Sequence, residues 1–330
     1  MKKSLYFLII CIGSTICSYA QQNNTSERVA DIFVAHKTDW SSVKSLKELA
    51  KAIAQQTTDQ EEQLRLLMLW MHNFITVDAE KYNVGDFRSS GISNIMQQKK
   101  AFGSDFSELT AAFCKELSIP CLTILGYARQ YDYVPGTSFR EPNHSWNLVK
   151  IRGAWYICDL FSSTQAIQRG GSFYSILDTR YFMPDPEAYN VYAVPMDPAF
   201  QLLQNPISMQ SFTNAAFGSI DDREARLSSI DYLPYLEKTL KLSGNSRYIQ
   251  EAKAGYAYNK ANPNSLIIAY YNQGVELAQQ KKATNEQLKQ ARTYLNKAKE
   301  LLNTGNVLPQ IQSLKDPCTK GIQYLNTIIK

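Results

Sequence analysis

The run His144-Ser145-Trp146-Asn147-Leu148-Val149-Lys150-Ile151, then Arg152-Gly153, then Ala154-Trp155-Tyr156-Ile157-Cys158-Asp159-Leu160-Phe161 decides how this chain folds. Two apolar, aromatic-rich segments flank an X-Gly dipeptide, and that order predicts two strands, 144–151 and 154–161, joined by a tight hairpin turn. If Ile151 pairs with Ala154, Asn147 faces Cys158 and Trp146 faces Asp159. His144 then lies on the same face as Asp159, as its diagonal neighbour, about 7–8 Å away at the backbone.

Upstream of the hairpin the periodicity is helical. Leu46, Leu49, Ala50 and Ile53 mark a helix within 41–57, and Thr58-Asp59-Gln60-Glu61 reads as a capping box opening a second helix with Leu64, Leu67, Met71 and Phe74 on one face. After a loop from Gly85 to Gly91 and a short helical stretch around Ile95-Met96, a third helix runs from Ser104 to Leu117 with Phe106, Leu109 and Phe113 inward. Asp105 reads as its cap, with Glu108 at N3, and Pro120 ends it and starts a strand over 121–127. Beyond about residue 220 the chain turns helical. Leu288, Ala291, Leu295, Ala298 and Leu302 form a seam facing Ile267, Tyr271, Gly274 and Ala278, and the short connector 281–285 predicts an antiparallel helical hairpin capped by Thr284 with Gln287.

With 330 residues, 44% hydrophobic and 20% charged, the chain has ample material for a packed core, which excludes disorder. A formal net charge of +5 is too small to point to nucleic acid. Lys2-Lys3, the apolar run Leu5 to Cys17 and Ser18-Tyr19-Ala20 read as a signal peptide over 1–20, cleaved after Ala20, so the expected location is periplasmic or extracellular. That run is shorter than the roughly 20 residues of a membrane span, and nothing later is long enough. Cys114, Cys121, Cys158 and Cys318 remain after cleavage, with three possible pairings, although their apolar contexts suit buried thiols. No metal-ligand spacing appears, so neither metal nor cofactor is expected.

The hairpin stretch resembles the transglutaminase-like superfamily, in its kyphoscoliosis-peptidase-type branch, through the pattern H-x-W-N-x-V…G-x-W-Y-x-x-D carried by His144 to Asp159. Asp105-Phe106-Ser107-Glu108-Leu109 through Ile119-Pro120, Leu125-Gly126-Tyr127-Ala128 and the tryptophan-bearing helix 66–75 extend the likeness across roughly 40–215. The resemblance implies an α+β, papain-like domain of helices packed on an antiparallel sheet, residues 21–218, followed by an all-α tail, residues 219–330. In that tail Tyr271-Asn272-Gln273-Gly274 with Ala291 and Ala298 is similar to a tetratricopeptide unit, or is a plain helical hairpin.

The family implies a Cys-His-Asp triad, in which a thiolate at a helix N-terminus attacks an amide carbon, His shuttles the proton and Asp orients the His. His144 and Asp159 match two triad positions. The family's Cys lies two residues before Asp105 and seventeen before Pro120, and both counts fall on Gly103. The nucleophile is therefore absent from its expected place. Ser104 is turned about 100° from it on the helix, and Asp105 is the other group within reach, as a base on water. The reading is a catalytically inactive, exported protein. It binds a protein, peptide or cell-envelope polymer at Gly103, His144 and Asp159, with Ser104, Asp105, Asn143 and Trp146 as candidate binding residues. The rival is an amide hydrolase using Ser104 or Asp105 with His144.

Overall fold

The structure is a computed structural model and describes residues 40–84, 88–167 and 173–329. The expected signal peptide, and Gly85 of the expected loop, lie outside the described residues. Contacts divide the chain into two units: residues up to 121 together with 149–183, and residues 122–148 together with 184–330.

In the first unit, α1 (Leu46–Ala54) starts at Ser45, whose hydroxyl accepts from the Glu48 N–H. Helix α2 (Gln60–Phe74) is capped by Asp59, whose carboxylate accepts from Glu61 and Glu62 N–H. The capping box expected at Thr58 is thus corrected by one residue, because the carboxylate of Asp59 reaches two free N–H groups at once. Leu64, Leu67, Trp70 and Met71 of α2 are buried, and the Trp70 indole N–H donates to the Trp40 carbonyl at 3.1 Å. A two-residue parallel pair, β1 (Thr76–Val77) with β2 (Lys100–Ala101), brackets α3 (Ala79–Val84) and α4 (Ile92–Gln98). Helix α5 (Ser104–Glu116) buries Phe106, Leu109 and Phe113 in the same core.

Strands β3 (Cys121–Ala128), β4 (His144–Ile151), β5 (Ala154–Cys158) and β8 (Ala193–Pro195) form one sheet in the order β5-β4-β3-β8, with β8 antiparallel to β3. The β4–β5 turn has Arg152 at φ +50° and Gly153 at φ +85°, the double left-handed conformation that suits a two-residue hairpin. Strand β5 stops at Cys158, not at Phe161 as the hydrophobic run suggests. Asp159 caps a short helix, α6 (Leu160–Thr164), its carboxylate accepting from the Ser162 N–H, and Leu160 turns into the core. A small antiparallel hairpin, β6 (Gln165–Ile167) with β7 (Phe173–Ser175), follows.

In the second unit, Tyr127, Val194, Met196, Ile207 and Phe212 form a core with the short helices α7 (Pro186–Asn190) and α8 (Met209–Thr213) close in sequence. Helix α9 (Tyr232–Thr239) leads to three longer helices, α10 (Gly244–Tyr258), α11 (Asn264–Ala278) and α12 (Asn285–Leu301); a single turn, α13 (Pro309–Gln312), and α14 (Lys315–Ile328) complete the chain. The capping box of Thr284 with Gln287 and the buried seam of Ala291, Leu295, Ala298 and Leu302 are as the sequence predicts. Gly274 lets α11 and α12 approach closely: a Cβ there would lie 2.8 Å from Leu295 Cγ. The Tyr127 hydroxyl accepts from the Asn262 side chain at 2.9 Å, and the Arg247 guanidinium donates to the Thr123 carbonyl at 2.5 Å, so the helical region shares a unit with β3 and β8.

Candidate functional site

In the first unit the site begins at the N-terminus of α5. Gly103 is the N-cap residue, with φ +56° and ψ −116°, and makes no side-chain cap. Nothing lies within 4 Å of where its Cβ would be, so the position is open, yet its backbone is one that L-residues rarely adopt. The expectation that Asp105 caps this helix with Glu108 is corrected. Asp105 is the second helical residue and is fully buried, and its Oδ1 accepts from the Ser90 N–H at 2.8 Å. Its Oδ2 accepts from the Ser90 hydroxyl at 2.7 Å and from the Phe102 N–H at 3.0 Å. Glu108 instead accepts from the Ser89 hydroxyl at 2.5 Å. Two side chains of α5 therefore hold the 89–91 segment over the start of the helix. Ser104 is half-buried at the first helical position, and its carbonyl accepts from the Ser107 hydroxyl.

Asp159 is buried and is held at both ends: its N–H donates to the Tyr181 carbonyl at 3.1 Å while its carboxylate caps α6. Beside it, an isolated bridge pairs Cys158 with Phe182. The ring of Phe173 meets that of Phe102, next to Gly103, edge to face at 6.1 Å.

In the second unit, His144 opens β4, half-buried, with its ring 5.7 Å from that of Trp146. Trp146 is buried against Tyr189 at 5.5 Å. The bareness of Gly126 makes room for it, since a Cβ there would come within 2.4 Å of the indole. Asn143 acts as an extra strand residue: its N–H donates to the Gly126 carbonyl, its side-chain oxygen accepts from the Ala128 N–H at 2.7 Å, and its amide N–H donates to the Ala128 carbonyl at 2.9 Å. The structure thus groups Gly103, Ser104 and Asp105 with Ser90 and Phe102 in one unit, and places Asn143 immediately before the strand that carries His144 and Trp146 in the other.

Among the described residues Cys114, Cys121, Cys158 and Cys318 form no disulfide. Cys114 and Cys158 are buried in the first unit. A thiol–thiol hydrogen bond with Cys121, together with burial, pushes Cys114 well up, and burial does the same to Cys158. Both shifts are the reverse of what a nucleophile requires. Among the described residues no group of three or more His, Cys, Asp or Glu side chains converges to hold a metal.

Three buried polar residues of the second unit, Asp197, Glu251 and Arg129, are absent from the sequence reading. Asp197 accepts from the Tyr235 hydroxyl at 2.5 Å and from the Ala199 N–H, and burial raises its carboxyl to about 6. Glu251, paired with Arg247 at 2.5 Å, is raised by burial to about 7. Arg129, buried, donates to the carbonyls of Phe212, Ala215, Val191 and Ser219, and burial lowers it to about 10.

Residues 47–160 match the model of the transglutaminase-like superfamily, a span that takes in Gly103, His144 and Asp159. The chain is similar to the kyphoscoliosis peptidases of Mus musculus, 26% identical over 194 residues, and Homo sapiens, 25% over 186, which cover 57% and 56% of this chain. It is also similar to hillarin of Drosophila melanogaster, 25% identical over 187 residues and 53% of this chain. These matches take in only 29%, 28% and 23% of the relatives' own lengths. A solved structure titled as a TGase aligns with 38% of the chain at 18% identity and a TM-score of 0.29.

Proposed function

Since this chain carries a transglutaminase-like domain, we propose that it is an exported, non-catalytic member of that superfamily that binds a peptide or cell-envelope polymer at its degenerate active site. One observation carries the reading. On the family's spacing the nucleophile falls at Gly103, where there is no side chain and where the backbone, at φ +56° and ψ −116°, favours glycine. Two buried thiols of the domain are poorly suited to substitute, because a hydrogen bond with Cys121 and burial raise Cys114 and burial raises Cys158. Asp105 already accepts three hydrogen bonds, which leaves it poorly placed to take a proton from water. On this reading His144 and Asp159 are retained for binding.

The test joins two measurements on the full chain. Peptides carrying amide and isopeptide bonds are incubated with it and examined by mass spectrometry, and the chain is cosedimented with insoluble cell-wall polymer and titrated with extended peptides. No hydrolysis or transfer product is expected, while His144→Ala should weaken binding about tenfold, the equivalent of losing one hydrogen bond to a charged group. Hydrolysis abolished by Ser104→Ala or Asp105→Asn would overturn the reading in favour of an enzyme.

A further inference from the structure

The charge of this chain is unevenly distributed. Residues 1–243 hold 23 Lys and Arg against 25 Asp and Glu, a net of −2, whereas residues 244–330 hold 12 against 5, a net of +7. Arg247 and Glu251 pair with each other, so the excess is carried by the remaining side chains of this stretch, both on its helices and in the segments that join and follow them.

Part of it is organised around aromatic rings. Lys253 and Tyr256 lie three residues apart on α10, and Lys260 follows in the turn just beyond its end. Tyr270 of α11 has the ammonium of Lys253 at 6.0 Å from its ring centre and that of Lys297, from α12, at 5.6 Å. The Tyr294 ring lies 5.8 Å from that of Tyr270, and Lys260 sits 4.4 Å over Tyr256. Lys253, Lys260 and Lys297 are exposed, and the three tyrosines are half-buried. Among the described residues none of these lysines forms an ion pair with a carboxylate, although Glu300 lies one turn from Lys297. Two like charges brought to one ring repel each other, and an anion between them turns that repulsion into attraction.

We propose that this three-helix face of α10, α11 and α12 binds an acidic polysaccharide, its sugar faces on Tyr256, Tyr270 and Tyr294 and its carboxylates on Lys253, Lys260 and Lys297. Half-buried tyrosines combine an apolar ring with a polar hydroxyl at the surface, a pairing that suits sugar rings. Lysines, as flexible point charges, follow anions of variable spacing better than the planar fork of arginine does. A membrane is a poorer fit, because the face has no protruding Trp, Phe or Leu to enter a bilayer. An acidic peptide is characteristically read by clustered arginines, whereas the cations gathered at these rings are all lysines.

The experiment titrates the full chain with polygalacturonate, dextran, polyglutamate and vesicles of equimolar phosphatidylglycerol and phosphatidylcholine, at low and physiological salt. Polygalacturonate should bind, with affinity falling as salt rises, and dextran should not. The triple variant Lys253→Gln, Lys260→Gln, Lys297→Gln should weaken binding by about tenfold or more. The charge-matched triple Lys281→Gln, Lys282→Gln, Lys289→Gln on the same tail should stay within about twofold. Equal losses in the two triples would reduce the effect to general electrostatics and overturn the proposal. So would tighter binding of polyglutamate or vesicles, or no binding at low salt. His144→Ala should leave this binding unchanged; a loss there would assign the polymer to the domain's own site and overturn the present assignment.

Discussion

Replacing Gly103 by alanine tests the central feature of the site. No atom lies within 4 Å of the position the new methyl would take, so a steric account predicts no effect. The backbone account differs: a non-glycine residue at φ +56°, ψ −116° costs about 1–3 kcal/mol, against which the loss of unfolded-state freedom returns about 0.4–1 kcal/mol. The net expectation is destabilisation by about 1 kcal/mol. Urea denaturation followed by tryptophan fluorescence suits the measurement, since Trp40, Trp70 and Trp155, three of the chain's four tryptophans, are buried in the same unit as α5. Gly305→Ala is the control, because it is equally open but has no positive φ, and it should be neutral or slightly stabilising. Equal stability of Gly103→Ala and wild type would refute the reasoning, since the position would then be an ordinary helix start that lacks only a side chain. Gly103→Cys should share the cost of Gly103→Ala, and its thiol, at the N-terminus of α5, should titrate below the free value of about 8.5.

Burial raises Asp197 to about 6 and Glu251 to about 7, so the folded state binds more protons than the unfolded one. Their contribution is fully present below about pH 4 and is lost as pH rises through 6 to 7. Thermal unfolding followed at pH 5 and pH 8 should therefore show lower stability at pH 8, and Asp197→Asn, which cannot ionise and keeps one of the two acceptor oxygens that serve Tyr235 and Ala199, should flatten that slope. An unchanged pH profile in the variant would discount Asp197. Arg129→Lys cannot reproduce the guanidinium fork that serves four carbonyls, and should lower stability by about 3 kcal/mol; a loss under 1 kcal/mol by calorimetry contradicts the anchoring role. Gly274→Ala places a methyl 2.8 Å from Leu295 Cγ and 3.1 Å from the Ala291 carbonyl, so it should cost about 1–3 kcal/mol, to be read from urea midpoints followed by circular dichroism.

The parts of the fold visible in the sequence are those fixed by local chemistry. Arg152-Gly153 announces its hairpin because the turn needs positive φ at two successive residues. The 288–302 seam announces its helix because burial recurs at helical period. The end of β5 was not visible, since Leu160 and Phe161 are as acceptable in a strand as in a helix. What turns the chain there is tertiary: Phe161 packs edge to face on Phe106 at 5.1 Å while Asp159 caps the new turn. The same holds for the polar clusters. Nothing near Arg129 in sequence marks it, because the carbonyls it serves lie between 62 and 90 residues away. At the candidate site, the glycine at 103 could be read directly, but not the backbone conformation that makes glycine necessary there.

Asp105 shows why the start of α5 serves architecture more readily than chemistry. A general base must be free to accept a proton from water in the transition state. Both oxygens of Asp105 already face donors, one of them two donors, and the carboxylate is wholly buried. Freeing it would leave the Ser90 and Phe102 N–H groups without this acceptor, and each hydrogen bond to a charged group is worth about 1.5–3 kcal/mol. The same bonds join a segment fifteen residues upstream to the first turn of the helix. A backbone at Gly103 that disfavours any side chain and a carboxylate at Asp105 that fastens the upstream segment together fix the architecture of this helix start.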